Sequence, residues 1–483
     1  MLYFGFLVFS LNKNLNKITL SKNTLPTNIH NSKKSNEPVV NKKNSSINKL
    51  KGSQNNRINI LLLGIGGENH SGKYLTDTIA LASINPQTYQ SAILSIPRDL
   101  YVQIPNTNYK TKINALYTYG LKNKSFSDDE ATNLVISAVE KITGETINYY
   151  IILDFTGFKK IIKTIDGINV NVKNDIYDTH YPGPNFSYET FKLSKGFHHL
   201  DAETALKYAR VRHIKGGDFG RAHRQQQIIS AIREKALSLK ILANPFKIIQ
   251  LINILGEHLK TNITKQEIPA MIQLIHSVNI YQTTTQVLDA WSKNSLLKST
   301  HVSLGGVYAY VLIPKIKTYA QIQSLAHNIF DLKKINENKL KIKKEAAKIT
   351  LATDDYDSFI MFKKILQAWS YTNIKKASPQ QALRCSDNKD MIISYNSKEK
   401  LFTLNDLAEK LDSTIIYENS TDITQDKKAF KNTSQDILLC ITRQTTSFFE
   451  GENKSFNSKN TFPVLEQNIL NSKGEVLFNK HNY

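Results

Sequence analysis

Residues 58–67 read INILLLGIGG, and this stretch decides the fold. Ile60 to Leu63 is an uninterrupted apolar run, short and closed by a glycine. A run of that kind predicts a strand buried on both faces of a sheet. Two more strands are predicted close behind it. Residues 78–84 end at Asn85-Pro86, and residues 91–96 end at Pro97-Arg98-Asp99. Gly64 and Arg98 therefore follow strand ends, where open α/β sheets bind their ligands. Asp77 immediately precedes a strand. The GIGG loop alone is weak evidence, and no Gly-Lys-Ser/Thr follows to make it a Walker loop.

Further along, Ser127-x-x-Glu130 is a capping box that opens a helix with Ala131, Leu134, Val135, Ala138 and Ile142 on one face. A strand at 149–155, a short helix stopped at Gly167 and an alternating strand at 168–172 come next. Residues 175–197 read as a polar, aromatic-rich loop. Asp201 caps a helix that runs through Tyr208.

The chain then reads YARVRHIKGGDFGRAHRQQ over residues 208–226, with Arg210, Arg212, Arg221 and Arg224 and the single acid Asp218. Guanidinium groups are planar forks that match phosphate oxygens in pairs. Arginines at this density point to a pyrophosphate or polyphosphate. Counting by turns from Arg221 gives Gln225, Ile229, Ile232 and Ala236, so the face that starts with Arg221 and Gln225 continues as the apolar face. Those two side chains are thus expected to point toward the domain body. The rival reading is a set of arginines neutralised by buried carboxylates, for which the local supply is only Asp218 and Glu203.

The 483 residues carry a formal net charge of +22. Residues 1–57 hold ten Lys or Arg and one acid, Glu37, so much of that charge lies outside any core. No zinc-finger spacing or RNA-reading signature appears, and no nucleic-acid partner is expected. The segment MLYFGFLVFSL at 1–11 is apolar but shorter than the about 20 residues of a spanning helix. Residues 12–56 are a polar, basic tether. Together they read as a partial or short membrane anchor at 1–11 and a disordered linker at 12–56, with the membrane as a partner. Cys385 and Cys440 are too few and too far apart for a metal site or a disulfide framework, and Cys440 reads as a buried core thiol.

Residues 57–333 read as one domain, 334–347 as a charged connector, and 348–445 as a smaller α/β domain. Within the latter, strands are expected at 349–352, 391–395, 414–417 and 436–441, and helices at 359–369 and 404–411. The tail at 446–483 is polar.

Taken in order, ILLLG, the glycine loop, TDT, SIPRD, KIN, DFTGF and YARVRH…DFGRAHRQQ resemble the LytR-CpsA-Psr family over roughly residues 57–333. The second domain resembles a diverged LytR carboxy-terminal module. The resemblance implies an α/β/α sandwich with a central mixed sheet and a hydrophobic pocket, followed by the smaller α/β domain. It implies a cell-membrane protein with a single-pass anchor and an extracytoplasmic catalytic domain. Its expected activity is phosphotransfer: an anionic glycopolymer such as teichoic acid moves from a polyprenyl-pyrophosphate carrier onto peptidoglycan through a phosphodiester link. Alternatives are a polyprenyl-pyrophosphate hydrolase and a non-catalytic binder of lipid-linked or wall polymer.

The implied roles fall on particular residues. Arg98, Arg210, Arg212, Arg221 and Gln225 match pyrophosphate-holding positions, and Arg224 is counted with them. Asp77 matches an aspartate tied to Mg²⁺ or Mn²⁺. Asp99 is the candidate base, with an ion pair that orients Arg98 as its alternative role. Lys112, Asn114 and Asp218 fall in family motifs. Two positions depart from the family pattern: Gly66 stands where an aspartate is usual, and Leu75 where an arginine is usual. Glu68 or His70 is expected to replace the lost metal-side group. Either metal handling is altered in this chain or activity is reduced.

Overall fold

The computed structural model describes residues 47–450 and 466–467, apart from 69, 71, 124–125, 184–186, 215–216, 239–244, 279–282, 293, 305, 387, 396–399 and 419–434. Its organising element is a mixed six-stranded sheet. Strand order is Leu259–Thr261, Tyr149–Asp154, Ile58–Ile65, Thr78–Ile84, Ser91–Ser95 and Thr284–Val287. Ile58–Ile65 runs parallel to Tyr149–Asp154 and antiparallel to Thr78–Ile84. The apolar run at 60–63 sits centrally, as its lack of alternation requires.

Successive residues of that run serve opposite faces of the sheet. Leu61 and Leu63 join Leu81, Leu94, Val135 and Val139 in one core. Ile58 and Ile60 join Ile84, Ala270, Met271 and Leu274 in another. Helix Asp128–Thr143 covers the first face and helix Ile268–Ser277 the second, which makes an α/β/α sandwich. Ser127 and Glu130 form the expected capping box, which satisfies helix-start N–H groups that would otherwise lack partners.

The loop expected at 175–197 is instead built mostly of strand. Ile176–Pro182 pairs antiparallel with Tyr188–Leu193, and Gly196–Leu200 pairs with Ile168–Val172. Tyr181 and Phe191 are buried beneath them, so the aromatic residues there are core anchors of a hairpin.

A second, smaller sheet has the order Ile374–Lys376, Ile349–Ala352, Ile437–Cys440, Met391–Ser394 and Ile415–Tyr417. Helices Tyr356–Ala368 and Leu401–Leu411 pack on it. The charged connector is itself a helix, Lys333–Glu345, that buries Ile342. The polar tail begins later than its composition implies, because Arg443–Glu450 is helical and Phe449 is buried. Asp390, almost fully buried, accepts from Lys317 Nζ at 2.7 Å and from Thr442 N at 2.8 Å, joining this sheet to the chain before it.

Cys440 is buried but is not a thiol: it is bonded to Cys385, with Cα atoms 5.5 Å apart. Fifty-five residues separate the two in sequence, yet the central strand ending at Cys440 returns beside the segment that follows helix Pro379–Ala382. The localisation reading also fails. Residues 1–11 lie outside the described residues, and among the described residues no helix is long and apolar enough to cross a membrane.

Candidate functional site

The site follows from strand register. Thr78–Ile84 and Ser91–Ser95 are antiparallel, with Ala80 opposite Ser95, and Ile96 N donates to Ile79 O at 2.9 Å. Carrying the same register outward sets Asp77 opposite Arg98. Arg98 Nη1 accordingly donates to Asp77 Oδ1 at 2.9 Å.

Backbone bonds fix both residues. Asn114 O accepts from Thr76 N at 3.1 Å, and Asn114 N donates to Arg98 O at 3.3 Å. The motif asparagine thus acts through its main chain, and it is buried. Lys112 Nζ lies 2.7 Å from Asp99 Oδ1, and Arg98 Nε lies 3.6 Å from Asp99 Oδ2. Asp99 is therefore held between two cations.

Helix Gly217–Ser238 begins at the same end of the sheet. Its Arg221 is buried, only 7% exposed, and Arg221 Nη2 donates to Asp77 O at 3.3 Å. Arg221 points inward as its helix phase predicts, but the rest of the predicted face does not hold: the buried stripe runs through Arg221, Arg224, Ile228 and Ala231. Ile229 and Ile232 are half-buried.

Arg224 consequently differs from its expected phosphate-binding role. It is buried, donates to Tyr208 O at 3.0 Å through Nε, and also donates to Val211 O. It fastens the helix to the preceding segment and does not line the cavity described below. Gln226, next to the expected Gln225, is buried and donates to Ser95 Oγ and Gln286 O, both at 2.9 Å. Gln225 does line the cavity, and its Nε2 lies 3.4 Å from Ala209 O.

Asp77, Arg98, Asp99, Arg221 and Gln225 line one cavity of about 720 Å³. Ile79, Ile96, Phe219, Val287, Leu288 and Leu312 supply apolar wall to the same cavity. That size and mixture suit an organic ligand with a charged end. The helix start adds a fixed partial positive charge that favours anions.

Arg210 and Arg212 do not line the cavity. Arg212 is exposed. Arg210 is held over the Phe155 ring at 4.6 Å, and it donates to Tyr181 Oη at 3.1 Å and His70 Nε2 at 3.0 Å. A side-chain carbon at Gly66 would fall 2.7 Å from His70 Nδ1. His70 therefore fills the space that a residue at 66 would need. Burial first, then the Arg210 guanidinium, lower the His70 pKa, while Asp77 pulls it back. Glu68, the other expected replacement, is exposed and paired with Lys73 at 2.7 Å and with Tyr74. The side chain of Asp218 lies outside the described residues.

The donor set can be tested for Mg²⁺. Among the described residues no group of three or more His, Cys, Asp or Glu could hold a metal ion. Asp77 is the single carboxylate beside Arg98 and Arg221 that the sequence reading assigns to a metal. Mg²⁺ bound through one carboxylate takes its remaining ligands from substrate phosphates and water. The residues present fit an ion that arrives with a pyrophosphate.

Sequence reasoning missed His223, Asp289, Trp291 and Tyr310 as cavity residues. His223 lies within the arginine stretch, where the guanidinium pattern outweighed it, and Asp289, Trp291 and Tyr310 lie on two other segments whose only signal was aromatic and charged character.

A cavity with apolar walls and two arginines at one end of the central sheet has the composition to receive an amphiphilic anion. The chain belongs to the LytR_cpsA_psr family, whose model matches residues 19–306. It is 31% identical over 219 residues to a polyisoprenyl-teichoic acid–peptidoglycan teichoic acid transferase TagU of Bacillus cereus, covering 45% of this chain and 64% of that protein. The Enterococcus faecalis protein of the same name is 30% identical over 233 residues, covering 47% and 68%. The match thus spans about two thirds of these relatives. Among solved structures, B. subtilis TagV is 28% identical, with 57% of this chain and 97% of that chain covered and a TM-score of 0.43. TagT bound to LI-WTA is 23% identical, with 57% and 91% covered and a TM-score of 0.43.

Proposed function

We propose that this protein is a phosphotransferase that moves an anionic glycopolymer from a polyprenyl-pyrophosphate carrier onto peptidoglycan or another envelope acceptor. The observation that carries this reading is the meeting of Arg98 and Arg221 on Asp77 in a cavity with apolar walls. A lipid pyrophosphate has that composition, an apolar chain joined to a doubly charged head. The names of the relatives, which join teichoic acid to peptidoglycan, supply the polymer and acceptor classes.

In this reading the acceptor hydroxyl oxygen attacks the phosphorus that bears the glycan. A new oxygen–phosphorus bond forms, the bridging pyrophosphate bond breaks, and polyprenyl phosphate leaves. Arg98 and Arg221 neutralise the charge that the bridging and terminal oxygens gain. Asp99 receives the hydroxyl proton, with Lys112 and Arg98 orienting its carboxylate. The apolar walls hold the lipid and exclude water, which favours transfer over hydrolysis. Mg²⁺ held by Asp77 and the substrate would supply further charge neutralisation on the pyrophosphate.

The test is a polyprenyl-pyrophosphate-linked sugar given with and without peptidoglycan acceptor. Sugar phosphate on the acceptor supports the transferase. Free sugar phosphate regardless of acceptor would make it a hydrolase, and binding without turnover would make it a binder.

A further inference from the structure

Trp291 is 69% exposed and also lines the cavity. Its position at the cavity, and not its exposure alone, sets it apart: a wide aromatic face there is offered to whatever the cavity holds. The turn that carries it is anchored at both ends. Leu288 is buried and its N–H donates to Ser95 O at 3.0 Å, which ties the turn to the central sheet. Leu297 N donates to Asp289 O at 3.3 Å. Asp289 Oδ1 also accepts from Ser292 N at 3.2 Å and Ser292 Oγ at 2.8 Å. These bonds tie the residues on either side of the indole to the sheet and to one another.

We propose that Trp291 and Asp289 form a pyranose-binding subsite of the cavity. A sugar ring has one apolar C–H face and a rim of hydroxyls. An exposed indole covers the face, and a carboxylate beside it accepts from the rim. Phosphate suits this wall poorly, because the Asp289 carboxylate would repel it, whereas Arg98 and Arg221 supply the phosphate wall of the same cavity. The subsite rests on the glycopolymer reading above and adds the residues that choose the sugar. The ring belongs either to the donor, next to its pyrophosphate, or to the acceptor glycan.

The experiment uses the full chain, Trp291→Ala and Trp291→Phe. The chain has two tryptophans, and the other, Trp369, packs against Phe362 and Phe449 in the second sheet's core. Titration with an uncharged N-acetylglucosamine tetramer probes the acceptor arm. Lipid pyrophosphate with and without its sugar probes the donor arm. The expected result is an emission change that Trp291→Phe removes, and an affinity about tenfold or more weaker in Trp291→Ala for one of the two sugar-bearing ligands, as loss of one stacked ring implies. Weakening for the tetramer assigns the acceptor, and weakening for the sugar-bearing lipid alone assigns the donor. Equal affinities in wild type and Trp291→Ala would overturn the subsite, as would equal weakening for the sugar-free lipid. Turnover of Arg98→Ala, measured alongside, reports separately on the glycopolymer reading.

Discussion

Arg98 Nη1 stands 2.9 Å from Asp77 Oδ1 because the two residues continue the antiparallel register of neighbouring strands. Neither depends on a flexible loop for its position. Arg98→Ala and Arg221→Ala should each lower turnover about 100-fold or more, the usual loss when one donor to a developing oxyanion is removed. The thermal midpoint of Arg98→Ala should stay close to wild type. An Arg221→Ala chain that fails to fold would instead assign Arg221 a structural role. Lysine at 98 should restore little activity, since a point charge does not reproduce the guanidinium fork.

Arg224 and Arg212 should behave in opposite ways. Arg224 is buried and donates to the carbonyls of Tyr208 and Val211. Arg224→Ala strips two buried acceptors of a charged donor, at a cost of about 2–4 kcal/mol of stability. Arg212 is exposed, and Arg212→Ala should stay within about 0.5 kcal/mol of wild type. Urea unfolding of the two variants measures both.

His70 should make the fold sensitive to mild acid. Its pKa lies below the ordinary 6.5, through burial and then Arg210, with Asp77 opposing. Just below that ordinary value the unfolded chain binds more protons than the folded one, so stability rises with pH there. The contribution is complete above the ordinary value and is lost as pH falls toward the lowered one. Acidifying from about pH 7.5 to 5.5 should therefore lower the unfolding midpoint of wild type more than that of His70→Gln. His223, also lowered by burial, is present in both proteins and cancels in the comparison.

The Cys385–Cys440 bond closes a loop of 55 residues in sequence. Loop-closure entropy for that length is worth about 4 kcal/mol. Reduction should lower the unfolding midpoint of the second sheet and leave turnover at Arg98 unchanged. Thiol titration before and after reduction checks the premise, with no free thiol from this pair expected before it.

The frame of the site was legible because it lies in short range along the chain. The apolar run at 60–63, the proline and asparagine stops, and Arg98 directly after a strand carry the sheet and one wall of the cavity. The inward position of Arg221 was legible from helix period, although the stripe that period drew through Gln225, Ile229 and Ile232 is turned from the buried one. The same period did not separate Arg221 from Arg224, because both lie on the buried side of one helix, and only the carbonyls of Tyr208 and Val211 decide which one is structural. Arg210 and His70 are 140 positions apart, so no local pattern joins them. The hairpin at 176–193 was hidden because its aromatic residues alternate with charges and pack inward as Tyr181 and Phe191. The Cys385–Cys440 pairing likewise depends on a strand returning to the sheet centre, which spacing does not report.

The central claim is tested most directly by one transfer measurement. A polyprenyl-pyrophosphate-linked sugar labelled on the sugar is incubated with the protein, Mg²⁺ and peptidoglycan, alongside Arg98→Ala. The expected result is label carried to the peptidoglycan by wild type through an acid-labile phosphodiester, and lost about 100-fold or more in the variant. Label released to solution at the same rate with or without peptidoglycan, or transfer unchanged in Arg98→Ala, would contradict it.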